Sequence, residues 1–254
     1  MFDLSRVIPE AKSIVQAAAK VYLHHTSPWF VGLLVHGSAL KGGFIPGCSD
    51  VDLQLYLDAS AFNVQGSLPF ELCLSIHREL SKIDPAPFRY IQCYAWSDNL
   101  REEHVGPIPG AYHLVAGKLP VVEATDQQLR ASAKKALAEF DPEPVSTLHG
   151  LLSHGGGRLE TRVRWLCTDV WPKLYQVLTL QYDDAPRIWG LPKQQAIALL
   201  PQDTPLGKAI RAFYQAVQIY YPAEASVEQA LAVIERGVDF LKAAKAWWSE
   251  KSGL

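Results

Sequence analysis

Hydrophobic and polar residues recur with two different periods along the chain, and the change of period divides it into two parts. In the first part, short apolar or alternating runs are typical of strands, and runs with three- and four-residue steps are typical of helices. The predicted elements are helices at 6–25 and 70–83, strands at 30–36, 51–57 and 88–96, and an edge strand or connection at 118–124. This order predicts a small domain in which helices accompany a mixed sheet.

From Thr125 onward nearly every segment has helical spacing. The predicted helices lie at 125–140, 155–182, 192–201, 204–221 and 226–248. The segment at 155–182 is predicted to be a long helix or a kinked pair, with the break at Pro172. The glycine-rich stretch at 154–164 is interpreted as a hinge between domains. The sequence therefore predicts an α+β protein with an N-terminal mixed sheet with helices at 1–124 and a C-terminal helical bundle at 125–254.

Composition narrows the possible functions. The 254 residues are 48% hydrophobic and 20% charged with a formal charge of −2, which is typical of a globular protein and not of a general nucleic-acid binder. No apolar run approaches the roughly 18 to 20 residues of a membrane span, and the N-terminus lacks a signal-peptide pattern, so we expect a cytoplasmic protein. The cysteines and histidines follow no common metal-site spacing, which predicts no zinc site.

The stretch between the first two predicted strands carries residues suited to phosphate chemistry. Gly37 and Ser38 follow the first strand, and a glycine there lets a phosphate approach backbone N–H groups. After a spacer of eleven residues come Asp50 and Asp52, which the two-residue strand period directs to one face, where they can share Mg²⁺. By itself, a Gly-Ser pair is usually an ordinary turn, and two aspartates at this spacing are usually a solvated surface. Together they have the order and spacing that phosphoryl or nucleotidyl transfer requires.

These residues resemble the signature of the DNA polymerase β-like nucleotidyltransferases. That signature is an apolar residue, GS or GG, a spacer of about nine to thirteen residues, and D-h-D/E-h with h apolar. The matching residues are Gly37, Ser38, Asp50, Val51, Asp52 and Leu53. Within this superfamily the chain is most similar to aminoglycoside adenylyltransferases, because GLPKQQAIALLPQ at 190–202 resembles a proline–lysine helix start in their helical domain.

The resemblance implies a role for each matching residue. Gly37 and Ser38 would contact the triphosphate of ATP, Asp50 and Asp52 would ligate Mg²⁺, and an acceptor would bind between the domains. Lys193 would place its ammonium group near the triphosphate, although an ordinary exposed lysine is an equally good interpretation.

The family also has a third carboxylate, which acts as a general base, and Gln92 occupies the position expected for it. Three explanations are open. Asp84 or Asp98 supplies the base, one metal ion and a more acidic acceptor suffice, or the protein binds nucleotide without efficient transfer.

Aromatic residues in the second half suggest an acceptor site. Trp165 and Asp169, with Trp171 and Tyr175 nearby, recur at helical spacing, and an acid beside aromatic rings suits a cationic or sugar-like acceptor. Core packing is the favoured interpretation of these aromatics.

The first functional hypothesis is a Mg²⁺-dependent enzyme that moves AMP from ATP onto a hydroxyl of a small molecule, with an aminoglycoside as one candidate. The alternative is a nucleotide-binding or regulatory protein that kept the fold but lost transfer. A protein acceptor, as for adenylylating antitoxins of the same superfamily, ranks third.

Overall fold

The computed structural model describes residues 2–97, 105–221 and 226–253. The chain divides into two compact units, of which the first ends at Thr125 and the second begins at Asp126.

The first unit is built around a four-stranded sheet. Its elements are α1 (Pro9–Thr26), β1 (Phe30–His36), α2 (Ser38–Lys41), β2 (Val51–Leu57), a single 3₁₀ turn (Ala59–Ala61), α3 (Phe70–Leu80), β3 (Ile91–Ser97) and β4 (Tyr112–Gly117). The strand order is β3-β2-β1-β4. Strand β1 is antiparallel to both β2 and β4, whereas β2 and β3 are parallel, so the sheet is mixed.

The core of this unit lies on one face of the sheet. In β2 the apolar residues Val51, Leu53 and Leu55 alternate with Asp52 and Gln54, and only the apolar set is buried in the core. Helix α1 packs on the same core through residues at three- and four-residue steps: Ala11, Ile14, Val15, Ala18 and Tyr22. The opposite face therefore presents the polar residues of β2.

Several boundaries in the first unit differ from the sequence prediction. The opening helix was expected at 6–25 but spans Pro9–Thr26. The third strand was expected at 88–96 but begins at Ile91, because Phe88 enters the core and Arg89 forms a backbone hydrogen bond with Ser49 at 2.8 Å. The helix expected at 70–83 ends at Leu80. The stretch at 118–124, predicted to be an edge strand or a connection, is a connection: it contains no strand and follows β4, which is itself at the edge of the sheet.

Strand β4 was not predicted because a histidine interrupts its apolar pattern. His113 occupies a buried position next to Leu114 and Val115, and its Nε2 lies 3.1 Å from the backbone oxygen of Asp3. A buried imidazole with such a partner is compatible with the core, but histidine counts as a polar residue in the hydrophobic pattern of the sequence.

The second unit is helical throughout its described residues. Its helices are α4 (Asp126–Glu139), α5 (Val145–Leu151), α6 (Arg158–Gln181), α7 (Ala185–Gly190), α8 (Lys193–Ala198), α9 (Pro205–Tyr220) and α10 (Val227–Ser252). The short helices α5 and α7 were not predicted. Helix α10 begins with a capping box in which Ser226 and Gln229 each satisfy a backbone N–H of the other. The predicted α+β fold class, a mixed sheet with helices followed by a helical region, is confirmed.

Two sequence predictions for the second unit are wrong. Of the two alternatives for 155–182, the structure has the long helix and not the break: Pro172 lies inside α6 and does not end it, because buried residues on both sides of the proline hold the helix against α4 and α10. The stretch at 154–164 covers the end of the connection between α5 and α6 and the first two turns of α6, all within this unit, so it is not a hinge at the boundary at Thr125.

Across the described ranges we find no helix with the length and apolar character that crossing a bilayer requires.

Candidate functional site

A glycine turn joins the end of β1 to the short helix α2. Gly37 has φ 69° and ψ −149°, a conformation that only glycine adopts without strain. Its carbonyl oxygen accepts backbone hydrogen bonds from Leu40 at 3.2 Å and Lys41 at 3.0 Å. Sequence and backbone geometry therefore agree that position 37 requires glycine.

The carboxylate of Asp52 lies directly against Gly37. Asp52 pairs with His36 in the antiparallel ladder between β1 and β2, and this register brings the aspartate to the turn. A β-carbon added at position 37 would overlap Oδ2 of Asp52. The missing side chain of Gly37 therefore makes room for the carboxylate, and the two halves of the sequence motif meet in space.

Asp50 is the last residue before β2, and backbone hydrogen bonds hold the chain on both sides of it. The Ser49 carbonyl accepts from the Arg89 N–H at 2.8 Å, and the Val51 N–H donates to the Tyr90 carbonyl at 3.1 Å. The buried Ser38 hydroxyl donates to the Asp50 carbonyl at 3.3 Å. Ser38 thus links the glycine turn to the aspartate segment.

Gln92 lies beside Asp52 on the neighbouring strand. The two are paired residues of the parallel β2–β3 ladder, so their side chains leave the same face of the sheet. The Gln92 Oε1 accepts a hydrogen bond from the Tyr90 hydroxyl at 3.1 Å. An amide at this position carries no charge and cannot take up a proton at neutral pH.

The alternative acids have different positions. The Asp84 carboxylate accepts the backbone N–H of Ala86 at 2.9 Å in the turn before β3, where it stabilises the turn. Asp98 lies outside the described residues.

His36 is a residue of this region to which the sequence interpretation assigned no role. It pairs with Asp52 on one side and with Tyr112 on the other. Burial, with a smaller contribution from the Lys41 charge, lowers the pKa of His36 to about 4, so the imidazole is neutral at physiological pH. Its Nε2 is buried and has no hydrogen-bond partner among the described residues. The sequence places His36 at the end of the first predicted strand, but its pairing with Asp52 becomes known only from the register of β1 and β2.

The arrangement is suited to binding a hard cation and phosphate oxygens. Asp50 and Asp52 supply carboxylate oxygens, which Mg²⁺ prefers, and Gly37 leaves the adjoining backbone without a β-carbon. Gln92 adds a neutral polar group beside them.

The other predicted site residues belong to the second unit. Lys193 is the first residue of α8, and its Nζ lies 5.6 Å from the centroid of the Trp171 ring. Trp165 is 47% exposed, and the Arg162 guanidinium lies 4.6 Å from the centroid of its ring. Burial raises the pKa of Asp169, and the charge of Lys173 opposes this shift. Trp165 and Asp169 therefore each have a cationic neighbour within the unit.

Trp171 and Tyr175 belong to the core of the second unit. Trp171 packs on Phe213 with ring centroids 5.1 Å apart, and Tyr175 stacks on Trp189 at 5.3 Å. The Tyr175 hydroxyl donates to the Leu191 carbonyl at 2.6 Å. Core packing, the interpretation favoured from the sequence, accounts for both residues.

Comparisons with known proteins give structural likenesses but no sequence match. No family model matches the sequence, and no curated protein matches it. The solved structure of spectinomycin adenyltransferase AAD(9) from Enterococcus faecialis, with ATP and spectinomycin, is similar over 92% of this chain and 99% of that chain. The sequence identity is 12% and the TM-score is 0.49. At this level of similarity, function has to be argued from the residues of the site.

Proposed function

We propose that the protein is a Mg²⁺-dependent nucleotidyltransferase that moves AMP from ATP onto a hydroxyl of a small molecule. The observation that carries this proposal is the contact between Gly37 and Asp52. It supports a site in which the backbone of the glycine turn receives phosphate oxygens beside the carboxylates that hold the metal ion. Because the reaction consumes ATP, we place it in the cytoplasm.

Each residue of the site has a task in this proposal. Gly37 and Ser38 bind the triphosphate, and the Ser38 side chain keeps the turn next to Asp50. Asp50 and Asp52 hold Mg²⁺, which when bound neutralises charge on the phosphates and on the departing pyrophosphate. The acceptor hydroxyl attacks the α-phosphorus in line, the bond to the bridging oxygen breaks, and pyrophosphate leaves.

The neutral Gln92 restricts the choice of acceptor. Because its amide cannot remove the proton of an attacking hydroxyl, that proton goes to solvent or to a basic group of the acceptor itself unless Asp84 or Asp98 supplies the base. An acceptor with a more acidic hydroxyl, or with an amine beside it, meets this condition. An aminoglycoside is one candidate because it carries both hydroxyls and amines.

The second unit would select the acceptor and assist with ATP. We assign Lys193 to the triphosphate, as a positive charge at the start of α8. We assign Trp165 and Asp169 to the acceptor, because they lie four residues apart on α6 and combine an exposed ring with an acid.

The test is pyrophosphate release from α-labelled ATP with Mg²⁺ and a panel of hydroxyl-bearing acceptors. We expect release with at least one acceptor and label transferred to it. Asp52→Asn should abolish both, because it removes a ligand charge while keeping the shape of the side chain. Asp58→Asn is the matched control: Asp58 follows the other end of β2, and its Oδ1 accepts from the Ser60 N–H, which asparagine also allows.

The outcomes separate the two hypotheses. Binding of Mg²⁺-ATP without pyrophosphate release for any acceptor would support the nucleotide-binding or regulatory alternative. Loss of release in Asp84→Asn, with Asp52→Asn still active, would move the chemistry away from the proposed site. Release that needs a protein acceptor would leave the reaction intact and change only its substrate.

A further inference from the structure

A group of metal-ligating side chains lies at the ends of two helices of the first unit, outside the site described above. His24 and His25 occupy the last turn of α1, and Glu79 is the next-to-last residue of α3. One ligand atom from each of the three residues lies within 4.8 Å of the other two. The sequence spacing of the histidines did not predict this group, because Glu79 joins them only through the packing of α3 against α1.

The geometry within the group favours a shared ion over a simple ion pair. The Nε2 of His25 is 3.3 Å from Oε1 of Glu79, but it is buried and makes no hydrogen bond of acceptable geometry in the described part of the chain. The His24 and His25 rings are nearly perpendicular, with centroids 5.0 Å apart. A buried nitrogen that makes no hydrogen bond, beside a carboxylate and a second imidazole, is an arrangement that a bound cation completes.

The backbone also favours positive charge at this place. Helices α1 and α3 both end here, and the carbonyl ends of helices carry a partial negative charge. A carboxylate at the end of α3 is unfavourable by itself for the same reason. A cation held by Glu79 would offset both the carboxylate and the helix ends.

We propose that His24, His25 and Glu79 bind Zn²⁺. Two imidazole nitrogens and one carboxylate oxygen suit Zn²⁺ better than Mg²⁺, which prefers oxygen ligands alone. Three protein ligands leave a fourth position for water. The ion would tie the ends of α1 and α3 together, next to the apolar core that they share beneath the sheet.

The experiment is a zinc titration of the full-length protein without a histidine tag, after treatment with a chelator. We expect one Zn²⁺ per chain in competition with a chromophoric chelator. Co²⁺ in its place should give the visible absorption of a four-coordinate ion. Zinc should also raise the melting temperature, because an ion that binds the folded state alone stabilises it.

His24→Ala and Glu79→Gln are the test variants, since both positions are at least partly exposed and neither change threatens the fold. Each should weaken zinc binding at least about 100-fold, because even second-shell changes cost about 10- to 100-fold. His77→Ala is the matched control, because His77 lies two residues before Glu79 and thus on another side of α3. It should bind zinc like the wild type.

Asp52→Asn should also bind zinc like the wild type, which separates this site from the proposed magnesium site. Absence of stoichiometric zinc binding by the wild type would overturn the proposal. Equal affinities of wild type, His24→Ala and Glu79→Gln would overturn it as well.

Discussion

Replacing Gly37 with alanine tests the central contact of the candidate site. Two separate costs follow from the structure. Alanine is strained at φ 69° and ψ −149°, by about 1–3 kcal/mol. Its β-carbon would also overlap the Asp52 carboxylate, and such overpacking costs about 1–3 kcal/mol. With mid-range values, the first unit should lose about 4 kcal/mol of unfolding free energy.

Gly42→Ala is the control that separates the two costs. Gly42 follows α2 as its C-cap and has φ 75° and ψ −168°, dihedral angles similar to those of Gly37. A β-carbon at Gly42, however, would meet no atom within 4 Å. It should therefore show only the backbone strain, about 2 kcal/mol. The difference of about 2 kcal/mol between the variants measures the contact with Asp52.

The assays are thermal and urea unfolding together with pyrophosphate release. A unit that ends at Thr125 should lose roughly 4 °C of melting temperature for each kcal/mol. We therefore expect a fall of about 16 °C for Gly37→Ala and about 8 °C for Gly42→Ala. Displacing Asp52 should lower kcat/KM about 100-fold or more in Gly37→Ala, since small misplacements of catalytic groups have effects of this size.

Equal destabilisation of the two glycine variants would refute the contact between Gly37 and Asp52. Wild-type activity in Gly37→Ala at a temperature where it is folded would refute the role of that contact in the reaction.

Three further predictions follow from other contacts. Gln92→Glu should raise pyrophosphate release about 100-fold by supplying a base beside the aspartates, and an unchanged rate would mean that deprotonation is not limiting there. Lys193→Gln should raise KM for ATP with little change in kcat, whereas the exposed Lys208→Gln should change neither in steady-state kinetics. Hydrogen bonds from Arg130 hold the pKa of Asp126 below its ordinary value of 3.8. The ionised Asp126 therefore stabilises the fold at pH values above 3.8, and this stabilisation is lost as the pH falls through the lowered pKa. Melting temperatures of wild type and Asp126→Asn should therefore differ at pH 7 and converge in strong acid; a constant difference would contradict the role of ionisation.

The sequence predicted elements best where one physical signal dominated. Strands 30–36 and 51–57 have the predicted bounds, because a continuous apolar run suits a central strand and strict alternation suits a strand with one buried face. Strand β4 was missed because His113 takes a core position. The sequence predicts a helix break at Pro172 because proline lacks a backbone N–H. The packing of residues distant in sequence, which keeps α6 continuous through Pro172, cannot be seen in the sequence of this segment.

In the candidate site, too, local sequence patterns were predicted and contacts between distant residues were not. Gly37, Ser38, Asp50 and Asp52 could be selected from the sequence, because a glycine after a strand and acids at a two-residue spacing are local patterns. The position of Gln92 beside Asp52 depends on the parallel register of β2 and β3, which pairs residues forty positions apart. The place of His36 next to Asp52 likewise required the register of β1 and β2.

By itself, the sequence determined the α+β class, most of the regular elements and the residues that suit a nucleotide and a metal ion, because periodicity, capping and turn chemistry are properties of short segments. Only the tertiary structure decided which residues meet: Gly37 with Asp52, Asp52 with Gln92, and His24 and His25 with Glu79. These contacts join distant parts of the chain, and strand register and helix packing bring them together through the burial of a common core.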